Sequence, residues 1–559
     1  MASDASGSVS DGSSNNVSLT GDRENEPQAS LPRNERESLA REVYAALGHP
    51  IDSWQIAATL ESMGIRDIDA YEQFGKENVF ELAADIQGLV EGRRGIAEDR
   101  RAAPQRKSRR TGTLRRIFRF YGKGTLTALP IMGQIASILL LRYSLWAWVD
   151  FTEAQATVVA LGTLLSFIIT GGFIQSISRE GIRYIGNKNY FLAEKICWKL
   201  VGYGTMTALL VGCAIFCLNL LMPFYEVKLA LISLTYYVLL SELWLYSSVA
   251  FVLNRPFAVF VILTAGVGPV FLIMEFTSLG IYVAHWLGLA FAVLLMMLFT
   301  MMDFHSLARL TKGDLKLGRL PSLPVRAYLV APYFAYGFLY FFNLFLDRIV
   351  SWSAPNPELP PYIVWFRTPY ELGMDWALIS LMLTLALLEY VIHEFTRYQL
   401  PVQKAVKCFR LDRYRGFFKK FYAKFLYILL GIGLLDILLT YAGVLCFRQF
   451  SYVKEIGDFF SSQITFFTFY AASVGYFFIA VGLYNSLFFF TLSRPEFVLR
   501  SILPAIAVNL VVALVASRWI NYQSGVLGLV AGGITFAFLS WHYARRFFRE
   551  LDYYYYAAY

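Results

Sequence analysis

Residues 257–274 read FAVFVILTAGVGPVFLIM, eighteen positions without a charged side chain, framed by Arg255 before and Glu275 after. As a helix rising about 1.5 Å per residue the run is roughly 27 Å long, close to the ~30 Å hydrocarbon core of a bilayer. Lipid offers backbone N–H and C=O groups no partner, and each one left unpaired costs several kcal/mol, so a spanning segment must be helical or part of a closed barrel. The run is too long for a barrel strand. Helix is the expected form.

Eleven more runs of similar length lie on either side. The twelve fall roughly at 125–149, 155–176, 199–221, 228–252, 257–278, 281–302, 327–350, 374–396, 422–446, 464–491, 497–517 and 524–544. The boundary between the fifth and sixth is the weakest, resting on a few residues around Leu279 and Gly280. The composition agrees: 56% of the 559 residues are hydrophobic and 16% charged, whereas soluble domains carry about 25% charged residues. The excess apolar surface must face lipid. The expected class is an all-α membrane protein of about twelve transmembrane helices in two six-helix bundles, preceded by a small helical module.

Charge is divided unevenly. Residues 1–99 carry 19 acids and 8 bases, and residues 100–122 carry 9 bases and no acid. The rest carries 33 bases and 22 acids, largely in alternate loops. Arg179, Arg183, Lys188 and Lys195 follow the second run; Arg309, Lys312, Lys316, Arg319 and Arg326 follow the sixth. Arg397, Lys404, Lys407, Arg410, Arg413, Arg415, Lys419 and Lys420 follow the eighth, and Arg545, Arg546 and Arg549 the twelfth. The opposite connections hold few bases, with Asp150, Glu153, Glu358, Arg367, Glu371, Arg448, Lys454, Glu455 and Asp458. By the positive-inside rule both termini are expected to be cytoplasmic. The net charge thus reflects topology and gives no ground for a nucleic-acid partner. Residues 1–30 contain no apolar signal-peptide core.

The expected organisation is a disordered tail at 1–35, a cytoplasmic helical module at 36–92, a basic juxtamembrane linker at 93–124, a first bundle at 125–303, a cytoplasmic linker at 304–326, a second bundle at 327–545 and a tail at 546–559. In the module, SLAREVYAALG (38–48) is helix-periodic, Asp52 precedes SWQIAATLESMG (53–64) as a cap, and Val79, Leu82 and Ile86 share a helix face. It reads as a docking domain or as an appendage without a fixed ligand. The basic run suits an anionic membrane lipid surface and serves equally as a plain topology signal.

The two halves repeat locally. SSVAFVLNRPF (247–257) closes the fourth run and SLFFFTLSRPEF (486–497) the tenth, placing Arg255-Pro256 and Arg494-Pro495 at equivalent turns. Arg142 with Trp146 matches Arg348 with Trp352. Parallel repeats of this kind build transporters whose substrate lies between two bundles, although Arg-Pro also serves as a simple stop signal.

A charge in the hydrocarbon region costs at least about 2.5 kcal/mol on insertion scales, so those present should face a cavity or a partner. Asn343 and Asp347, four apart, and Arg348 form the foremost group; they line a path or lie at the interface, where Arg348 can snorkel. Glu242, Glu275 and Asp436 are further path candidates. Glu389, His393 and Glu394 are coupling candidates, since a carboxylate beside an imidazole can relay protons, or a polar end of the eighth span. Cys197, Cys213, Cys217, Cys408 and Cys446 show neither disulfide nor zinc spacing, so no metal and no cofactor is expected. Walker A, G-x-S-x-G and H-E-x-x-H patterns are missing, so the chain reads as a non-enzyme.

SISREGIRYIGNKNYFLAEKI (176–196), YGFLYFFNLFLDRIVSW (336–352), the Arg-Pro turns and the tail RRFFRELDYYYYAAY (545–559) resemble the PelG family of exopolysaccharide exporters, within the MOP flippase superfamily. The likeness covers about residues 115–559. It implies a plasma-membrane transporter that moves polysaccharide or a lipid-linked saccharide outward with a cytoplasmic glycosyltransferase, by rocking of two bundles or through a continuous path. Alternatives are a small-molecule or drug antiporter on the same fold, and a membrane scaffold for a polysaccharide synthase.

Overall fold

The computed structural model describes residues 33–47, 52–89, 109–310, 320–355, 363–405, 411–450 and 462–556. Residues 1–32, the linker stretch 90–108, Lys312, Lys316, Arg319, Glu358, Lys407, Arg410, Lys454, Glu455, Asp458 and Cys408 lie outside them. The chain divides into two compact units.

The small unit holds α1 (Arg33–Leu47), α2 (Ser53–Ser62), α3 (Asp67–Phe74) and α4 (79–89). Apolar side chains three and four apart give each helix one buried face, and Leu39, Val43, Ile56, Leu60, Phe74, Val79, Leu82 and Ile86 close into one core. Asp52 caps α2 by accepting from the Gln55 N–H at 2.9 Å; such a cap contributes about 1 kcal/mol. α3 ends on Gly75 at φ +63°, the left-handed region where a side chain is disfavoured. Asp67 Oδ1 then accepts from the Val79 N–H at 2.8 Å and ties α3 to α4. Hydrogen bonding to the Arg66 side chain, then to its backbone N–H, holds the Asp69 carboxyl below its ordinary value.

The large unit contains α5 (Arg109–Leu141), α6 (Glu153–Gly186), α7 (Tyr190–Leu221), α8 (Val227–Val252), α9 (Pro256–Phe276) and α10 (Ile281–Ala308). It continues with α11 (Leu323–Trp352), α12 (Thr368–Ala405), α13 (Leu411–Phe450), α14 (Gln463–Thr491), α15 (Pro495–Trp519), α16 (Val526–Arg549) and a short α17 (Leu551–Tyr556). Eleven of these helices are long and apolar enough to cross a bilayer, and α5 is apolar over Gly124–Ile138. The described residues therefore supply the twelve spans as α5–α16. The basic run from Arg109 onward is the first part of α5 and continuous with the first span.

In the first bundle α6 packs on α7 and α8, and α9 on α5 and α10; in the second, α16 packs on α14 and α15, and α11 on α15. Without a hydrophobic drive between helices in lipid, small residues set how closely they approach. Between bundles, α6 meets α11 at Gly337, where an added Cβ would collide with the Gly171 carbonyl oxygen and lie 2.6 Å from Gln175 Cγ. Similarly, a Cβ on Gly124 of α5 would collide with the Ala386 carbonyl of α12. An offset of six spans converts one contact into the other, as a pseudo-two-fold arrangement requires. Internal prolines follow the same offset, with Pro130 in α5 and Pro332 in α11, Pro269 in α9 and Pro504 in α15.

The Arg-Pro turns have matching backbones. Asn254 and Ser493 take φ +60° and +54°. Arg255 and Arg494 follow at φ/ψ −115°/50° and −117°/59°, and each donates its N–H to a carbonyl five residues back. The proline after each starts its helix, where a missing N–H costs nothing.

The other sequence match is a correction. Arg348 lies inside α11, whereas Arg142 follows the end of α5 at φ +67° and pairs with Asp150 at 2.7 Å. The first span likewise stops at Leu141, eight residues short of its expected end. Gln134 Oε1 accepts the Leu145 N–H at 2.9 Å and its amide donates to the Leu263 carbonyl at 3.3 Å. These bonds fold the chain back, so Leu145 is buried against Gly266 and Gly288.

Candidate functional site

α11 brings three polar residues into the second bundle. Asn343 and Asp347 share a helix face, and Arg348 is displaced from Asp347 by about 100°. The shared face then divides between neighbours. Asn343 meets α15, where Asn509 Nδ2 donates to its Oδ1 at 3.2 Å and to its carbonyl at 3.0 Å. Asp347, 0% exposed, accepts the Tyr370 hydroxyl of α12 on Oδ2 at 2.7 Å. Its Oδ1 is enclosed without a hydrogen-bond partner among the described residues.

Arg348, 5% exposed, donates to Glu371 Oε2 at 2.5 Å, Asp375 Oδ1 at 3.0 Å and the Tyr476 hydroxyl of α14 at 3.3 Å. Trp352 Nε1 donates to the other Glu371 oxygen at 2.8 Å. Glu371 is therefore buried between a cation and an indole, while the Asp375 side chain is 63% exposed. A guanidinium bound to two carboxylates offsets much of the cost of burying it, and the open side of the cluster is at Asp375.

Glu371 and Asp375 do not stand out in the sequence as part of this group. The eighth apolar run starts near 374, which puts Glu371 in a loop, but α12 starts at Thr368 and both acids occupy its first two turns. Their spacing of four, placing them on one face, is the signal that could have found them.

An aromatic row leads from the first bundle to this cluster. Trp146 meets Trp244 at 5.7 Å, Trp244 stacks on Phe167 at 4.3 Å, and Phe167 stacks on Phe341 of α11 at 5.3 Å. Phe341 stacks on Phe345 at 6.3 Å, and the Arg348 guanidinium lies 5.7 Å from the Phe345 ring. Beside it an apolar cavity of about 190 Å³ is lined by α6, α7, α8 and Ile349 of α11.

The remaining candidates are dispersed. Glu242 accepts the Thr205 hydroxyl at 3.0 Å inside the first bundle. Glu275 is exposed in the last turn of α9. Asp436 is buried and accepts the Thr384 hydroxyl at 2.9 Å. On α12, Glu389 is exposed, His393 half-buried, and Glu394 buried with Arg397 at 3.4 Å, so these three occupy different environments. Arg255 is paired with Asp303, and Arg494 with Glu496 at 3.5 Å. Of the predicted groups, only Asp347 and Arg348 belong to the charged cluster.

Both edges of the bundle interface are tied. At the edge holding the Arg-Pro turns, Arg179 of α6 donates to the Ser493 hydroxyl at 2.7 Å and lies over the Tyr333 ring at 4.8 Å. At the other edge the Tyr225 hydroxyl donates to the Val364 carbonyl at 2.7 Å, and Thr157 Oγ1 accepts the Phe366 N–H at 3.0 Å.

Solved structures share this fold. A bent form of the Vibrio cholerae MATE transporter VcmN matches with a TM-score of 0.53 and 14% identity, over 79% of this chain and 99% of that one. The fold is that of the MATE transporters. The eukaryotic MATE transporter AtDTX14 matches at 0.50 and 13% identity, over 78% of this chain and 98% of that one. A MOP-superfamily transporter from Pyrococcus furiosus, described as having a binding pocket of reversed polarity, matches at 0.51 and 14%, over 78% and 96%. No family model matches the chain, and no curated protein does. The MATE-like fold, with eleven helices among the described residues long and apolar enough to cross a bilayer, makes the chain a multi-pass membrane protein.

Proposed function

We propose that the chain is a transporter moving an exopolysaccharide, or its lipid-linked saccharide precursor, outward across the plasma membrane. The carrying observation is the aromatic row that crosses between bundles and ends at Arg348, Glu371 and the open Asp375 carboxylate. Aromatic faces stack on the apolar faces of sugar rings, and carboxylate and guanidinium groups bond hydroxyls. The likeness of the sequence to exopolysaccharide exporters supports the same reading. Arg179, Arg255, Arg309, Arg397, Arg494 and Arg546 share one face of the fold, which the positive-inside rule makes cytoplasmic, with both termini there. The α1–α4 module is then the docking site for a cytoplasmic glycosyltransferase.

The test follows newly made polymer in cells lacking the chain, carrying it, or carrying Asp375→Asn or Asp347→Asn. Export predicts polymer or lipid-linked intermediate retained inside without the chain, and a clear drop in exported polymer with Asp375→Asn. Normal polymer outside the deletion strain overturns the reading and leaves a scaffold or another cargo.

A second reading, a small-molecule antiporter, is favoured by the MATE transporters that share the fold and by the enclosed Asp347. It predicts efflux from vesicles that needs a proton or sodium gradient and is lost in Asp347→Asn. Efflux indifferent to both gradients excludes it.

A further inference from the structure

The pseudo-repeat supplies its own control for an unassigned site. In the first bundle the Arg255 guanidinium is satisfied bidentately, Nε to Asp303 Oδ2 at 3.0 Å and Nη2 to Oδ1 at 3.2 Å. Arg494 occupies the equivalent turn with the same backbone, but its nearest carboxylate is Glu496 at 3.5 Å, and its Nε is buried without a partner among the described residues. Arg494 lines a groove of about 540 Å³ together with Arg500, Arg546, Glu550 and Tyr554. The first-bundle arginine is satisfied bidentately by its own acid; the second-bundle arginine has one long ion pair.

The groove is built around that second arginine. Tyr554 of α17 is buried, stacked on Phe547 at 5.3 Å and edge-on to Phe497 at 5.6 Å, and the Arg494 guanidinium lies 5.5 Å from its ring. The Tyr554 hydroxyl donates to Glu550 Oε2 at 3.2 Å, so the oxygen that Arg546 Nε meets at 3.8 Å is already shared. Arg500 is exposed and makes no ion pair among the described residues. Three guanidinium groups against two engaged carboxylates leave donors over. A guanidinium fork fits phosphate oxygens bidentately, and a basic pocket between helices at a membrane face is a recurring form of headgroup site.

We propose that the groove between α15, α16 and α17 binds the phosphate group of an anionic lipid, with Arg494, Arg500 and Arg546 as donors and Tyr554 as its floor. The site does not depend on what the bundles transport. Its phosphate comes from a bilayer phospholipid or from the carrier of a lipid-linked saccharide, and the experiment separates these sources.

The full chain, purified in detergent, is titrated with phosphatidylglycerol, a polyprenyl diphosphate, inorganic pyrophosphate and zwitterionic phosphatidylcholine, with binding read by native mass spectrometry and thermal shift. The variants are Arg500→Gln with Arg546→Gln, both at exposed positions, and Arg309→Gln, which removes one charge elsewhere on the same face. The expected result is binding of a phosphate ligand over phosphatidylcholine, weakened about tenfold or more in the double variant and unchanged in Arg309→Gln. Preference for phosphatidylglycerol identifies a bilayer lipid, preference for the diphosphate identifies a saccharide carrier, and equal response to pyrophosphate identifies the phosphate alone. Unchanged affinity in the double variant, or an equal loss in Arg309→Gln, overturns the proposal.

Discussion

Arg348 lies in a part of the chain where an unpaired cation is intolerable, and its neighbours show how that is avoided: Glu371 and Asp375 take its charge, and Tyr476 takes a further N–H. Arg348→Met should destabilise the chain by about 3–5 kcal/mol, because Glu371 is left buried and charged. Arg348→Met with Glu371→Met should recover most of that loss, since two apolar groups replace a desolvated pair. Thermal unfolding of the single and double variants in detergent checks this; a double variant as unstable as the single would place the fault elsewhere. Trp352→Phe removes one hydrogen bond to Glu371 and should cost about 1.5–3 kcal/mol, the range for bonds to a charged group. In the small unit, the depressed Asp69 carboxyl should stabilise α3 above the ordinary carboxylate range and lose that contribution as pH falls through its lowered folded value. Amide exchange in α3 measured against pH should show this acid-side loss, and Asp69→Asn should abolish it.

Helices of this chain differ in what their glycines do. Gly337 sits where a Cβ would meet the Gly171 carbonyl oxygen, so Gly337→Ala must push α11 off α6. Gly268 of α9 has open space around it, and Gly268→Ala should be neutral or stabilising by up to about 1 kcal/mol. Unfolding temperatures and transport of the two variants should therefore move apart, with Gly337→Ala the damaged one. α2 and α4 carry the other element-scale feature. Trp54 is 69% exposed and meets Phe80 edge-on at 4.8 Å, an aromatic pair on the surface of an otherwise closed core. Exposed aromatics of this kind act as anchors in protein interfaces. On the proposed docking of a glycosyltransferase, Trp54→Ala with Phe80→Ala should leave the fold nearly unchanged and reduce its co-purification severalfold; retention at the original level would remove this surface as the docking site.

Across the whole molecule, the bundles are tied at both edges, by Arg179–Ser493 at one and by Tyr225–Val364 and Thr157–Phe366 at the other. If the proposed transport works by rocking about α6 and α11, it must break one set while keeping the other. Arg179→Cys with Ser493→Cys, bridged by a bifunctional thiol reagent in a background lacking the native cysteines, should stop transport, and a cleavable bridge should restore it on reduction. Transport that continues while bridged would argue for a continuous path. The sequence by itself determined the class: charge-free runs the length of a bilayer can satisfy their backbones only as helices, and alternate basic loops mark one face. It also determined local ends, such as the Asp52 cap and the Arg-Pro turns, because these depend on residues a few positions apart. Tertiary structure alone decided that Glu371 and Asp375 join Arg348 across 23 and 27 residues, and that Arg255 has Asp303 where Arg494 has an open groove. The reason is physical. A spanning helix that is apolar all round has no periodicity to say which face meets which neighbour, so partners between helices are set by packing and by the close approach that residues such as Gly171 and Gly337 permit.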